Sequence, residues 1–280
     1  MLKQWQLAHG KTLELGAQAI IMGILNVTPD SFSDGGHHFQ ADIALQKARQ
    51  MIEDGARIID VGGESTKPNA EAVDAKTEQK RVLPIIKMLA EQGDCIISVD
   101  TYRAETAKLA IEAGAHIVND VWGLHREPDI AHIAKATGAG LVLMHTSRER
   151  QCEADPLEDQ AVFFKKSIEI AHQAGIADNQ IVLDPGFGFT RSLDEDIELL
   201  SRFKEMARFP YPMLVGTSRK RFIGKISGIT DPLQRDVSTS ATSVTLRLDG
   251  ADIFRVHDVA VNAQALAVAD SILQSRASKL

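Results

Sequence analysis

One pattern constrains this chain more than any other: a strand-length apolar run that stops on a polar residue, recurring eight times. The runs are Ile20–Asn26, Arg57–Val61, Ile96–Asp100, His116–Asp120, Leu141–His145, Ile181–Asp184, Met213–Thr217 and Ile253–His257. Amphipathic segments lie between them at 41–54, 78–91, 103–113, 130–137, 159–174, 194–206 and 238–248. Uninterrupted apolar runs suit strands buried on both faces, and regular alternation of strand and helix builds a parallel sheet. Eight such units predict a (β/α)8 TIM barrel, and 280 residues are enough for one such domain spanning 1–280. The runner-up is a doubly wound open sheet, which would carry a glycine-rich dinucleotide fingerprint after an early strand. No such fingerprint occurs. Before the first run, Trp5–Leu7 and Thr12–Leu15 alternate apolar and polar residues around His9-Gly10-Lys11, which predicts a short hairpin capping one end of the barrel.

Three of the runs share a finer signature. Gly55-Ala-Arg-Ile-Ile-Asp60, Gly114-Ala-His-Ile-Val-Asn119 and Gly250-Ala-Asp-Ile-Phe-Arg255 each pair a helix-stopping glycine with an alanine, an isoleucine and a closing polar residue. Strand alternation puts the alanine, the isoleucine and the polar residue on one face, so that face carries chemistry only at its far end.

Charge and composition narrow the class of function. A formal charge of −7 argues against general nucleic-acid binding. No apolar run reaches the roughly 18 residues of a membrane span, and the N-terminal MLKQWQLAHGKTLELG lacks the apolar core of a secretory signal. The expectation is a cytoplasmic protein that does not bind a membrane. Cys95 and Cys152 have no metal-ligand spacing and read as reduced thiols.

In a barrel the C-terminal strand ends form the active face. Here they carry Asn26, Asp60 with Glu64, Asp100, Asn119 with Asp120, His145, Asp184, Ser218 with Lys220, and Arg255 with His257. A single polar strand end marks only where water begins. A polar end on nearly every strand, converging on one rim, marks a site. Asp100, Asn119 and Asp184 suit a flat heterocycle that offers several N–H donors, whereas Lys220, Arg255 and His257 suit a phosphate or diphosphate. Adjacent His37 and His38 lack metal spacing, but a hard cation such as Mg2+, taking one or two protein oxygens together with phosphate oxygens, remains compatible.

Four loops refine this. GILNVTPDSFSDGG (23–36) empties a strand into a polar, glycine-hinged loop, more expensive to order than it returns in burial and so better explained by binding. GGESTKP (62–68) presents Ser65, Thr66 and Lys67 as donors. DPGFGF (184–189) brings two aromatic rings to the rim, where Phe189 or Phe187 would stack on a flat ligand, Phe187 being equally explicable as a core plug. GTSRKR (216–221) follows a strand directly, which favours Ser218 and Lys220 as ligands. Arg255 and His257, two apart on the last strand, point the same way.

Together GILNVTPDSFSDGG, GGESTKPNA, SVDTYR, IVND, DPGFGF, GTSRK and RVHDV resemble the dihydropteroate synthase family, in the family's order and over about residues 20–269. The resemblance implies condensation of 6-hydroxymethyl-7,8-dihydropterin diphosphate with p-aminobenzoate, giving 7,8-dihydropteroate and diphosphate for folate synthesis. It also implies that Asn26 helps hold Mg2+ on the diphosphate, and that Arg255 and His257 bind the diphosphate itself. Asp100, Asn119, Asp184 and Lys220 would hold the pterin, while Thr66, Pro68, Phe189 and Ser218 would line the p-aminobenzoate site. Asp184, Lys220, Arg255 and His257 would thus carry the catalysis. Family members are typically homodimers and sulfonamide targets.

Departures from the family pattern fall in three loops. Met144-His145 is followed by Thr146-Ser-Arg-Glu-Arg-Gln151 rather than Met-Gln-Gly, Lys67 stands where arginine is common, and a His-Asn pair is missing after Phe189. Two rivals share the pterin pocket. A pterin-dependent methyltransferase barrel would have no use for Arg255, His257 or the donor-rich second loop, and a non-catalytic binding protein would bind pterin diphosphate without releasing diphosphate.

Overall fold

A computed structural model describes residues 3–28, 37–64 and 73–278 of the protein, the side chains of 37–40 excepted. The chain opens with an antiparallel hairpin, β1 (Lys3–Gln6) and β2 (Thr12–Leu15). Strand–helix units follow: β3 (Ile20–Asn26) and α1 (His37–Glu53), β4 (Ile58–Gly62) and α2 (Ala75–Gln92), β5 (Ile96–Asp100) and α3 (Ala104–Glu112), β6 (Ile117–Asp120) and α4 (Asp129–Thr137). The second half comprises β7 (Gly140–Met144) and α5 (Pro156–Gln173), then β8 (Ile181–Asp184) with α6 (Leu193–Ser201) and α7 (Phe203–Met206). It ends with β9 (Leu214–Val215), α8 (Arg221–Ser227) and α9 (Asp236–Leu248), and β10 (Ile253–Val256) with α10 (Val259–Ala277).

Among the described residues the large sheet has eight parallel strands in the order β8-β7-β6-β5-β4-β3-β10-β9. A parallel bridge between Leu183 and Met213 joins its two ends, and Leu183 N donates to Pro212 O at 3.0 Å. The sheet is therefore a barrel, and the open doubly wound alternative falls because it would leave two free edges.

Strand alternation divides the core in two. Ile21, Ile59, Val61, Ile97, Val99, Val118 and Leu143 face the helices, whereas Ile20, Met22, Ile58, Ile117, Val142, Val182, Leu214 and Ile253 fill the base of the barrel. Trp5, Leu7, Leu13 and Leu15 of the hairpin belong to the base cluster, so the hairpin plugs the N-terminal end of the barrel as the sequence predicted. Trp5 Nε1 donates to Gln180 O at 2.9 Å and locks the plug against the start of β8.

The repeated glycines do stop helices: Gly55, Gly114 and Gly250 all sit at φ of 112–113°. The predicted face needs correction, however. Ala56, Ala115 and Ala251 pack with the outer cluster while Ile58, Ile117 and Ile253 lie inside. The alanine sits in the helix–strand turn, where Ala56 N still donates to Met51 O, so the two-residue period begins only at the isoleucine.

Three helical details also differ from expectation. The 194–206 segment breaks at Arg202, whose φ/ψ of −106°/12° separates α6 from α7. α8, which begins at Arg221 where the GTSRKR loop ends, and α10, the longest helix described, lie outside the amphipathic segments read from the sequence, α10 because its apolar residues spread round the helix: Leu266 and Ala269 are buried while Val268 and Ile272 are exposed.

Candidate active site

The site follows from the base layer by one step of alternation. Two residues beyond Ile58, Ile117, Val182 and Ile253 come Asp60, Asn119, Asp184 and Arg255, and Ile96 leads through Ser98 to Asp100. Each therefore points into the upper barrel, which is polar where the base is apolar. Asp60, Ser98, Asn119 and Asp184 are buried.

Arg255 organises this layer. Its Nε donates to Asp60 Oδ2 and its Nη2 to Asp100 Oδ2, each at 2.7 Å, while Asn119 Nδ2 donates to the same Asp60 oxygen at 3.1 Å. Although burial works against the charge, Asp60 and Asp100 hold the Arg255 guanidinium above its ordinary range. Burial pushes the Asp100 carboxyl up to about 7 despite Arg255, and Asp184 up to about 6 despite a 2.8 Å hydrogen bond from Gly186 N to its Oδ1. Lys220 is pushed down to about 8 by burial first and by Arg255 second.

Asp100, Asn119, Asp184, Lys220 and Arg255 line a cavity with Val121, Met144, Phe187 and Phe189. Gly216 forms part of its wall, and a Cβ there would project to 4.0 Å from both Asp184 Oδ2 and Arg255 Cβ. Gly188, at φ 81°, lets Lys220 cross its backbone, where a Cβ would meet Lys220 Cδ at 2.7 Å. The Lys220 ammonium then rests 4.2 Å from the centre of the Phe189 ring. Phe189 is thus the aromatic wall, whereas Phe187 is 1 % exposed and packs against Phe203 and Phe222 as a core plug. Among the described residues Asn119 Oδ1, Asp60 Oδ1 and Ser98 Oγ are buried without a hydrogen-bond partner. A cavity lined by the unpartnered Asn119 Oδ1, acids of raised pKa and one aromatic wall is suited to a flat ligand that brings its own N–H donors.

Several strand-end residues do not join it. Asp120 and His145 each follow an inward-facing residue and so face outward. Asp120 accepts from Trp122 N at 2.9 Å and Leu124 N at 2.7 Å, fixing the β6–α4 loop, and burial raises its carboxyl to about 7. His145 Nε2 meets Asp159 Oδ2 of α5 at 2.8 Å, with Arg150 bonded to both, against Phe163 and Phe164. The atypical loop after β7 thereby gains a role: Ser147 N donates to Phe189 O at 3.1 Å and the Arg148 guanidinium lies 4.7 Å from the Phe189 ring centre, so the loop braces the aromatic wall. In place of the missing His-Asn pair, Ser192 caps α6 by accepting from Glu195 N.

His257 lies one residue past the end of β10 at Val256. Its Nδ1 and backbone N both meet Ser218 Oγ, at 2.9 and 3.1 Å. The pair adjoins a separate cleft lined by His257, Lys47, Arg219 and Asp258. Asn26, at the end of β3, is exposed, and a Cβ on neighbouring Gly62 would lie 3.6 Å from its Oδ1 and 3.5 Å from Asp100 Cβ. Thr66 and Pro68, with Ser65, Lys67 and the loop 29–36, lie outside the described residues. Asp60 stands in the sequence as a polar strand end without a ligand role, and its spacing of two from the inward-facing Ile58 is the signal that marks it for the site.

Comparison with known proteins gives this arrangement a context. Residues 22–257 match the profile of a family described as "Pterin binding enzyme". A dihydropteroate synthase of Synechocystis is 43% identical over 270 residues, covering 94% of this chain and 93% of its own. The structure superposes on a Clostridium difficile dihydropteroate synthase crystallised in the presence of pteroic acid, with TM-score 0.90 and 45% identity over 93% of this chain and 98% of the other. A Xanthomonas albilineans dihydropteroate synthase with 4-aminobenzoic acid gives TM-score 0.90 and 36% identity over 97% and 99%.

Proposed function

The chain belongs to the pterin-binding enzymes, among the dihydropteroate synthases, and we propose that it joins the pterin methylene of 6-hydroxymethyl-7,8-dihydropterin diphosphate to p-aminobenzoate with its inner polar layer as the pterin subsite. The observation that carries this reading is the convergence of Asp100, Asn119, Asp184, Lys220 and Arg255 on one cavity beside Phe189.

In the reaction the aniline nitrogen attacks the methylene carbon, the carbon–oxygen bond breaks, and its electron pair leaves on diphosphate. The nitrogen's proton passes to solvent. The nucleophile is already neutral, so no strong base is required, and the protein's task is to stabilise separating charge. Asp184, buried and anionic above about pH 6, faces the cationic pterin. Lys220 and Asn119 fix the ring, and Phe189 walls the path to the second substrate, with Ser218, Thr66 and Pro68 as its other contacts. Arg255 stands at the junction between ring and diphosphate, and His257, held by Ser218, takes the outer phosphate.

Asn26 fits a single-oxygen role toward Mg2+. Its amide is exposed beside the Asp100 end of the cavity, and among the described residues no cluster of three His, Cys, Asp or Glu forms a cation site independent of substrate. A hard cation there would draw its remaining ligands from the diphosphate and water, and would supply charge neutralisation on the leaving group. The apolar side chains exposed on α9 and α10, among them Val237, Val268 and Ile272, support a homodimer, and the free thiols of Cys95 and Cys152 support a reducing, cytoplasmic setting. The family relation supports sulfonamide sensitivity.

The test is diphosphate release by purified protein given the pterin diphosphate and Mg2+, with and without p-aminobenzoate. Release that depends on p-aminobenzoate and yields dihydropteroate is expected. Tight pterin binding without release would reject the reading.

A further inference from the structure

Ser218 and Lys220 serve different partners although they stand two residues apart. Along a strand that spacing would aim both side chains the same way. Here Ser218 Oγ meets His257 beside the second cleft, whereas Lys220 lines the inner cavity against Phe189. The residue that parts them is Arg219, which has no part in the chemistry above. It sits at φ 59°, and Lys220 N donates back to Thr217 O at 3.1 Å, so Arg219 is the second central residue of a tight turn. A positive φ at that position favours glycine, and a residue with a side chain is strained there.

Contacts from the start of α9 hold the strained residue in place. Its backbone N donates to the buried Thr239 Oγ1 at 3.1 Å, and its backbone oxygen accepts from Nη1 of Arg235, just before α9, at 3.0 Å. Its guanidinium grips Asp236 with both prongs, Nε on Oδ1 at 2.8 Å and Nη2 on Oδ2 at 2.7 Å. The platform itself is fixed. Arg235 is buried and donates as well to Ile229 O and Thr230 O beyond α8, and a Cβ on Gly224 of α8 would come within 2.7 Å of its Cζ. Thr217 Oγ1, one residue before Ser218, bonds Thr242 Oγ1 of α9 at 2.9 Å. A side-chain-bearing residue persists in the left-handed region where its surroundings over-determine it, and such strain gathers at functional sites. The grip on Asp236 is the part of this clamp that the Arg219 side chain supplies, in a fixed orientation that a lysine does not reproduce.

We propose that Arg219 is a positioning residue for both substrates: clamped on Asp236, it holds the left-handed turn that keeps Ser218 on His257 and Lys220 in the pterin cavity. The assignment rests on the reading above, in which Ser218 contacts p-aminobenzoate and Lys220 the pterin.

Arg219 and Asp236 are 24% and 16% exposed, so removing either strands no fully buried charge and the variants should fold. Arg219→Ala takes away the grip and keeps the strain, whereas Arg219→Gly takes away the grip and tolerates the left-handed turn. Steady-state kinetics with each substrate varied in turn should show kcat/KM for both lowered roughly tenfold in Arg219→Ala, the loss of about one charge-assisted hydrogen bond, and nearer to wild type in Arg219→Gly. Asp236→Asn should act in the same direction but less, and the double variant Arg219→Ala/Asp236→Asn should be little worse than Arg219→Ala alone, since both cut one connection. The pH profile separates positioning from support of the fold. Lys220 sits at about 8 chiefly through burial, and Arg255, Asp184, Asp196 and Arg148, the charged groups around it, are unchanged in these variants. A turn that relaxes lets Lys220 reach water, so Arg219→Ala should carry the alkaline limb of kcat/KM upward by about one pH unit. An alkaline limb that stays at its wild-type position, Arg219→Gly as impaired as Arg219→Ala, or a loss confined to KM for the pterin diphosphate would overturn the assignment while leaving the functional reading intact. A wild-type protein that formed no dihydropteroate would overturn both.

Discussion

Replacing Arg255 by methionine tests the electrostatics of the barrel interior. The substitution keeps most of the volume and removes the cation that bonds Asp60 and Asp100 at 2.7 Å each. Asp100 already sits at about 7 and adds little at neutral pH. Asp60, fully buried, loses its only guanidinium partner among the described residues. Breaking a buried ion pair from one side costs about 3–5 kcal/mol, because the remaining charge is left uncompensated in the interior. Relief of the buried guanidinium returns part of this, so the expected loss at pH 7 is ~3 kcal/mol. Urea unfolding of ligand-free protein, followed through the buried Trp5 and Trp122, measures it. Arg255→Met/Asp60→Asn should recover most of the loss. A loss below ~1 kcal/mol, or a double variant no more stable than Arg255→Met, would refute the argument.

Asp184→Asn, which keeps the shape but removes the charge facing the pterin, should lower kcat/KM by about a hundredfold or more, and near-normal turnover would remove Asp184 from the mechanism. In the free enzyme kcat/KM for the pterin diphosphate should climb between about pH 6 and 7 as Asp184 and Asp100 lose protons, and fall through about 8 as Lys220 loses its own; Lys220→Met should abolish the alkaline limb in whatever activity it retains. Gly186→Ala and Gly138→Ala compare strain with collision: both glycines have positive φ, but a Cβ at Gly186 would lie 2.0 Å from His145 O and one at Gly138 meets nothing within 4 Å. Unfolding midpoints should place the Gly138 variant about 1 kcal/mol below wild type and the Gly186 variant at least ~3 kcal/mol below it.

Much of this molecule is legible along the chain because the two-residue period of a strand needs no distant partner. Ile58 predicts that Asp60 faces inward, and Val182 does the same for Asp184. Where the period stops, legibility stops with it. His257 lies one residue past the end of β10, and its pairing with Ser218 across to β9 follows only from how the two loops meet. Asp120 and His145 are polar strand ends like the others, and only one of two successive residues can face the barrel. The alanines of the repeated motif fail for the same reason at the opposite end, where the turn precedes the alternation.

The sequence by itself determines that eight strands alternate with helices, that the hairpin caps the barrel, and that a polar layer sits two residues above an apolar one, because these follow from local pattern and side-chain geometry. Which carboxylates share Arg255, which aromatic ring faces the cavity, and which basic residues stand apart in a second cleft are decided by closure of the barrel. Closure brings β10 beside β3 and sets residues 155 and 195 positions apart within 2.7 Å of one guanidinium. Those distances set the burial and the charges around each group, and with them the protonation states on which the chemistry depends.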